Sequence, residues 1–323
     1  MSSKTCQGLV IREGDGGSLK LQKDSVPVPK PGPQQALVRV SHVAQNPTDI
    51  LSFDGKAFGG GAILGCDFVG TVEELGSEAK RLSKGDVIAG LIWGGEIKGL
   101  GGYSSATALL ALFSKDCLSI DRHNASGQSV LIWGGSSSVG LYAIQIATLY
   151  GLDVITTCSP RHFDLVRAHG AKHVFDYRGQ KVIENIGTVG LGLRYVFDTI
   201  GRPTTSATAS QAIQSEGGVL CTVRPGKVHT ENVAKQTKIT DVLVWTAFLK
   251  DHYYGKFHWP PHPEDHEMCT EFFEKLPSWL ESGKIKPNTP KVFDGGLDVV
   301  PEGFQEYRDG KISGYKIVYK LKA

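Results

Sequence analysis

The sequence predicts an α/β chain, with a β-rich first part followed by a doubly wound parallel sheet. Three observations carry this reading. The first hundred residues alternate short β-prone runs with turn residues. From Ser129 onward, short apolar strands alternate with helical runs. Between the first of those strands and the first helix stands a glycine-rich turn, Gly134-Gly135-Ser136-Ser137-Ser138-Val139-Gly140.

In the first part, strands are expected over 36–42, 68–73 and 87–91, separated by turn residues such as Gly76-Ser77 and Lys84-Gly85-Asp86. In the second part, Ser129–Trp133 reads as a fully apolar strand and Leu141–Leu149 as a buried helix. A strand over 153–158, a helix over 161–169 closed by Gly170, and a strand over 173–175 follow. Further apolar segments lie at 194–198, 219–223 and 242–245. A helix over 268–280 and an alternating strand over 315–321 close the chain. A length of 323 residues fits two domains.

Composition excludes several classes. Hydrophobic residues at 40% and charged residues at 21% are those of a globular protein with a sizeable core. With 35 basic and 33 acidic residues the net charge is +2, so no field recruits nucleic acid. No signal core and no run of 18 apolar residues appear, so no membrane span is expected. The six cysteines form no Cys-x-x-Cys pair and fit reduced thiols in the cytoplasm. Glycine is the outlier, 40 residues against roughly 7% expected, and it clusters at tight backbone sites.

The turn at Gly134 reads as a nucleotide cradle. Gly134, Gly135 and Gly140 permit a sharp turn and close helix packing, and the helix N-terminus offers N–H groups to a pyrophosphate. Ser136, Ser137 and Ser138 add hydroxyls, and Val139 sits within the loop. The alternative is an ordinary strand-to-helix corner. The next strand ends Thr156-Thr157-Cys158-Ser159-Pro160-Arg161, without the carboxylate that takes a ribose 2′-OH. Ser159 and Arg161 suit a 2′-phosphate instead, with Lys172 and Tyr177 completing the adenosine end. NADP(H) is therefore the expected coenzyme, against a plain solvated role for Arg161. A group at His252, His258, His262 and His266 is read as a loop of solvated or packed histidines, because Pro260, Pro261 and Pro263 break the helical spacing that would chelate a metal.

Several stretches resemble the medium-chain dehydrogenase/reductase superfamily. They are Asn46-Pro47-Thr48-Asp49, Gly65-Cys66-Asp67-Phe68-Val69-Gly70-Thr71-Val72, Lys84-Gly85-Asp86-Val87, the glycine loop, Thr157-Cys158-Ser159-Pro160-Arg161, and Gly310-Lys311-Ile312-Ser313-Gly314-Tyr315-Lys316. The loop and the Thr-Cys-Ser-Pro-Arg segment are most similar to fungal zinc-free enoyl reductases acting in trans on polyketide synthases, with quinone oxidoreductases as near neighbours. The resemblance implies a GroES-like β-rich domain plus a Rossmann doubly wound parallel sheet. The domains would be 1–107 (GroES-like), 108–283 (Rossmann, NADP-binding) and 284–323 (return to the first domain). Zinc members place Cys, Gly-His-Glu and a further Cys or His where this chain has Asn46 and Gly65-Cys66-Asp67, so no catalytic zinc is expected.

The implied reaction is NADPH-dependent reduction of an enoyl carbonyl or thioester, small or bound to a carrier protein, with a polyketide synthase as partner. The resemblance places Asn46 and Thr48 beside the nicotinamide, with Asn46 as donor to the developing oxyanion and Tyr103 as proton source. A plain Asx turn is the alternative for Asn46-Pro47-Thr48-Asp49. Lys316 is expected among the coenzyme ligands. Leu51 departs from the trans-acting group, many members of which carry Lys there. Only 25 residues separate Tyr103 from Ser129, where relatives carry a few dozen more, so the chain reads as shortened after residue 103. That shortening fits a bulky substrate, a nucleotide-binding protein that has lost reduction, or a splice or gene-model artefact. Quinone reduction and a non-reductive NADP-binding role are the competing readings.

Overall fold

Two units divide the chain in the computed structural model, which describes residues 4–91, 104–214, 216–254 and 257–321. One unit is built from the two chain ends (Met1–Tyr103 with Thr289–Ala323), the other from the middle (Ser104–Asn288).

The end-built unit opens with an antiparallel hairpin, β1 (Thr5–Glu13) and β2 (Leu19–Pro27), turned through Gly16 and Gly17 at positive φ. Then come β3 (Ala36–Ala44), α1 (Pro47–Asp54), β4 (Asp67–Leu75) and β5 (Val87–Leu91). The sequence reading found the cores of β3, β4 and β5 but neither the hairpin nor α1. Polar residues alternate irregularly through β1 and β2, and Asn46-Pro47-Thr48-Asp49 reads locally as a turn. Proline at the first helical position makes it a helix start instead.

The middle unit begins with α2 (Ser104–Phe113), buried from Ala106 to Phe113. A boundary at 107/108 would cut this helix. After it run β6 (Ser129–Trp133), α3 (Ser138–Leu149), β7 (Asp153–Cys158), α4 (Phe163–Ala168), β8 (His173–Asp176), α5 (Val182–Val189), β9 (Tyr195–Asp198), α6 (Thr205–Ser210), β10 (Gly218–Thr222) and β11 (Thr237–Asp241). A short hairpin, β12 (His252–Tyr254) with β13 (Phe257–Trp259), and the long helix α7 (Pro263–Glu281) complete it. The chain then returns to the first unit with β14 (Pro290–Asp294), α8 (Val300–Arg308) and β15 (Lys316–Lys320).

The six-stranded sheet of the middle unit runs β11-β10-β9-β6-β7-β8, and every pairing in it is parallel. Strand order therefore reverses direction at β6, between β7 and β9, which puts the switch point beside the turn that follows β6. The other sheet runs β14-β15-β3-β4-β5, so β15 inserts between β14 and β3. Val318 of β15 lies opposite Ala44, next to the start of α1.

Two readings need correction, and one apolar segment lies outside the sheet. The run at 242–245 follows the last strand of the sheet. The edge strand is β11, TKITD, whose polar alternation reflects one partner strand instead of two, and Val244–Ala247 forms a 3₁₀ turn. The helix expected over 161–169 opens as a 3₁₀ turn, Pro160–His162, before α4. Finally, α7 begins at Pro263 and not at residue 268. His262 caps it, accepting the Asp265 N–H, and Pro263 is its first residue, where proline starts a helix rather than breaking it. The four histidines thus sit on a hairpin and a helix end, not in a loop. His266 Nδ1 is bonded to the Ala247 carbonyl, and His258 to Asp251.

The core of the middle unit gathers Leu131, Ile155, Val196 and Leu220 from adjacent strands against Ile186 and Ala209. None of the described helices is long and apolar enough to cross a membrane. Leu131 is fully buried at the centre of this cluster. Leu131→Ala should lower unfolding stability by about 2–5 kcal/mol, read from the denaturant midpoint at unchanged slope.

Candidate active site

The turn after β6 is held by both neighbouring strands. Gly134 N–H donates to the Thr157 carbonyl (3.1 Å) and hydroxyl (3.2 Å), and Gly135 N–H to the same carbonyl at 2.9 Å. From the other side, the Thr199 hydroxyl lies 2.9 Å from the carbonyls of Trp133 and Gly134 and 2.9 Å from Ser137 Oγ. Gly134 has φ +91, and a side chain there would meet Ile200 at 2.5 Å. A Cβ on Gly135 would collide with the Thr156 hydroxyl, and one on Gly140 with the Gly134 carbonyl. Glycine is thus required at all three positions.

Ser137 is the N-cap of α3, its Oγ accepting the Gly140 N–H at 2.9 Å. The first-turn amides of Ser138 and Val139 have no intrahelical acceptor. Ser136, Ser137, Ser138 and Val139 are all half-buried. These groups fit a diphosphate: a helix positive end, open amides and a backbone with no side chain in the way.

Beyond the C-terminal ends of β7 and β8 lies a pocket of about 410 Å³, lined by Ser159, Pro160, Arg161, Tyr177 and Arg178. The structure brings Ser159, Arg161 and Tyr177 to one pocket and adds Arg178, for which the sequence offered no signal. Arg178 pairs with Asp176 through two 3.0 Å contacts, and its guanidinium lies 5.5 Å from the Tyr177 ring. Arg161 reaches only the His162 ring, at 3.2 Å, and pairs with no carboxylate among the described residues. Burial, with the Arg161 charge beside it, lowers the His162 pKa. Lys172 does not join this group. It lies just before β8, where its N–H bonds the Val154 carbonyl and its ammonium pairs with Asp153 at 2.6 Å. That is the N-terminal edge of the strands, opposite the crevice.

In the end-built unit, Asn46, Asp49, Cys66, Asp67 and Lys316 converge. Asn46 is the N-cap of α1, in a capping box with Asp49, and its side chain also reaches Asp67 and Lys316. Its Nδ2 donates to Asp67 Oδ1 at 2.9 Å, and its Oδ1 accepts from Lys316 Nζ at 2.5 Å. Lys316 Nζ also lies 3.4 Å from Asp67 Oδ2. Asp49 accepts the Asn46 N–H at 2.7 Å, and the Cys66 thiol donates to its other oxygen at 3.6 Å. Asn46 is 1% exposed. Its carboxamide is committed to Asp67 and Lys316, which leaves the expected donor away from solvent. Thr48 is half-buried in the first turn of α1, and Tyr103 lies outside the described residues.

This donor set does not fit zinc. An ammonium rests on the Asn46 oxygen and beside Asp67, where it would repel a dication, and Cys66 is the one soft ligand of the five. Among the described residues no group of three or more His, Cys, Asp or Glu side chains is placed to hold a metal ion.

Burial pushes the Asp49 carboxyl up to about 7, with Asp67 adding to the rise; the Asn46 amide, Lys316 and the Cys66 thiol oppose it. The folded chain thus holds this proton above the pH at which the unfolded chain loses it. The stabilisation is complete below pH 4 and is lost as pH rises through about 7. Asp49→Asn should therefore gain stability relative to the parent, on the order of 2 kcal/mol, between pH 5 and pH 8 in parallel denaturant titrations.

Comparison with known proteins places this arrangement. Residues 32–112 match the alcohol dehydrogenase GroES-like domain, and residues 138–244 match the zinc-binding dehydrogenase domain. The chain is 31% identical to the trans-enoyl reductase ACTTS2 of Alternaria alternata, over 94% of this chain and 96% of that protein. In structure it is similar to the CurK enoyl reductase (TM-score 0.73, 18% identity, covering 98% of this chain and 99% of that one). It is also similar to the quinone oxidoreductase of Coxiella burnetii (TM-score 0.71, 20% identity, 99% and 100% covered). At those identities the solved structures establish the fold alone. On its domains, its sheet order and its full-length relative, the chain belongs to the medium-chain dehydrogenase/reductase superfamily and is an oxidoreductase that uses a nicotinamide coenzyme.

Proposed function

We propose that the chain is an NADPH-dependent, zinc-independent reductase of carbon–carbon double bonds conjugated to a carbonyl or thioester. The observation that carries the coenzyme half is Arg161, a guanidinium without a carboxylate partner among the described residues, beside an open pocket at the end of β7. A phosphate accepts such a fork in two parallel bonds. Gly134 to Gly140 would hold the diphosphate, and Ser159, Tyr177 and Arg178 the adenosine end. Once bound, the coenzyme supplies a hydride.

The substrate half rests on the trans-enoyl reductase relative and on the cluster around Lys316, which offers no donor set for zinc-assisted alcohol oxidation. An enoyl thioester on the carrier domain of a polyketide synthase fits both. The six free thiols, five of them buried, fit work in the cytoplasm. Quinone reduction is the second reading, favoured by the shared fold with a quinone oxidoreductase.

NADPH should bind at least tenfold more tightly than NADH, a difference of about 1.4 kcal/mol, in fluorescence titrations. Arg161→Ala should reduce that preference to about threefold or less; equal affinities in the parent protein would overturn the coenzyme assignment. In an NADPH-oxidation assay with a short enoyl thioester, an alkenal and a quinone, the thioester should turn over at least about tenfold more efficiently than the quinone. Turnover of the quinone alone would transfer the chain to the second reading.

A further inference from the structure

The cluster around Asn46 has an inside and an outside. Asn46, Asp49 and Cys66 are buried, at 1%, 5% and 2% exposure. The side chain of Lys316 keeps 13% and that of Asp67 20%. Lys316 is therefore the positive group of this cluster that meets the surface. Its position is fixed by the fold. It is the first residue of β15, and the pairing of β15 with β3 brings it to the start of α1, 270 residues away in sequence. Its N–H also donates to the Thr289 carbonyl, which ties the backbone down.

An ammonium has three N–H donors. Among the described residues, the acceptors of this one are Asn46 Oδ1 and, at 3.4 Å, Asp67 Oδ2. The first is a neutral oxygen and the second is a loose pair, so a third donor and much of the charge stay available. A cation that is fixed, poorly solvated and one donor short of saturation is complementary to a negative oxygen that forms only during a reaction.

We infer that Lys316 Nζ donates a hydrogen bond to the substrate carbonyl oxygen as negative charge develops on it, with Asn46 and Asp67 as positioning residues. This rests on the enoyl-reductase reading. Hydride adds to the β-carbon, the C=C π pair shifts to form the new C=C bond of the enolate, and the carbonyl π pair comes to rest on oxygen. Collapse of that oxyanion then takes one proton from water at the α-carbon. The ammonium keeps all its protons throughout. In this reading Lys316 takes the role expected of Asn46, which is buried, in place of binding coenzyme.

The test compares Lys316→Met and Lys316→Arg with the parent protein, each checked for folding by thermal unfolding. NADPH affinity comes from fluorescence titration, and kcat from oxidation of saturating NADPH by the enoyl thioester. Lys316→Met should lose about 10²–10³-fold in kcat with NADPH Kd changed less than about threefold. Lys316→Arg should return to within about tenfold of the parent. Should Lys316→Met fail to fold, Lys316→Gln, which keeps donors for Asn46 and Asp67 but no charge, is judged by the same criteria. The inference is overturned if the neutral variant keeps more than about a tenth of kcat, or if NADPH affinity falls in step with kcat, which would make Lys316 a coenzyme ligand. A parent protein that binds NADPH but reduces only the quinone refutes the enoyl reading; the variants then fail or hold on the quinone, whose reduction also leaves negative charge on oxygen. A parent that reduces nothing refutes both.

Discussion

The C-terminal edge of the parallel sheet depends on how closely α3 can approach β6 and β7. That approach leaves no room for a Cβ at Gly135 or Gly140, because the Thr156 hydroxyl and the Gly134 carbonyl already fill the space. Thr157 and Thr199 then lock the turn from opposite sides, one through each neighbouring strand. The result is a rigid peptide corner whose amides face outward without needing a partner protein group. Ser137 is turned to this purpose as well, since its hydroxyl caps the helix and no longer serves only as a free donor. Sheet order, turn geometry and helix polarity thus act together, and the nucleotide chemistry of the family follows from their meeting at one switch point.

The end-built unit solves a different problem, which is how to keep charge close to a surface. Two carboxylates and one ammonium share a small volume, and Asn46 stands between them as a neutral spacer that accepts from one side and donates to the other. Asp49 is kept apart by the first turn of α1 and is pushed towards its neutral form, so the cluster carries less negative charge than its composition suggests.

Much of the architecture was legible in the sequence because it rests on local patterns. SVLIW, the glycine loop and the apolar run after it have one good solution, and the absence of a carboxylate after Thr157 was visible directly. The pocket partners were partly legible. The place of Tyr177 after β8 puts it at the pocket, and Arg178 lies there beside it, without a sequence signal because its pairing with Asp176 is local. Lys172 was misplaced because sequence distance cannot say at which end of a strand a residue lies. The surroundings of Asn46 were not legible, for a more basic reason. Its partners come from β4 and β15, and no spacing rule links residues 46, 67 and 316. The histidine-proline stretch failed in the opposite way, since Pro263 was read as a breaker where it serves as a start.

The return of the chain to its first unit has a consequence for biosynthesis. Strands β3 and β4, carrying Asn46, Asp49 and Asp67, leave the ribosome well before β15, which follows the whole middle unit in sequence. Until it docks, two carboxylates share their corner with no counter-ion, and one edge of the nascent sheet stays unpaired. The middle unit, complete at Asn288, can fold in the meantime. A polypeptide cut short before β15 would therefore keep its nucleotide turn and lose the counter-charge of Lys316.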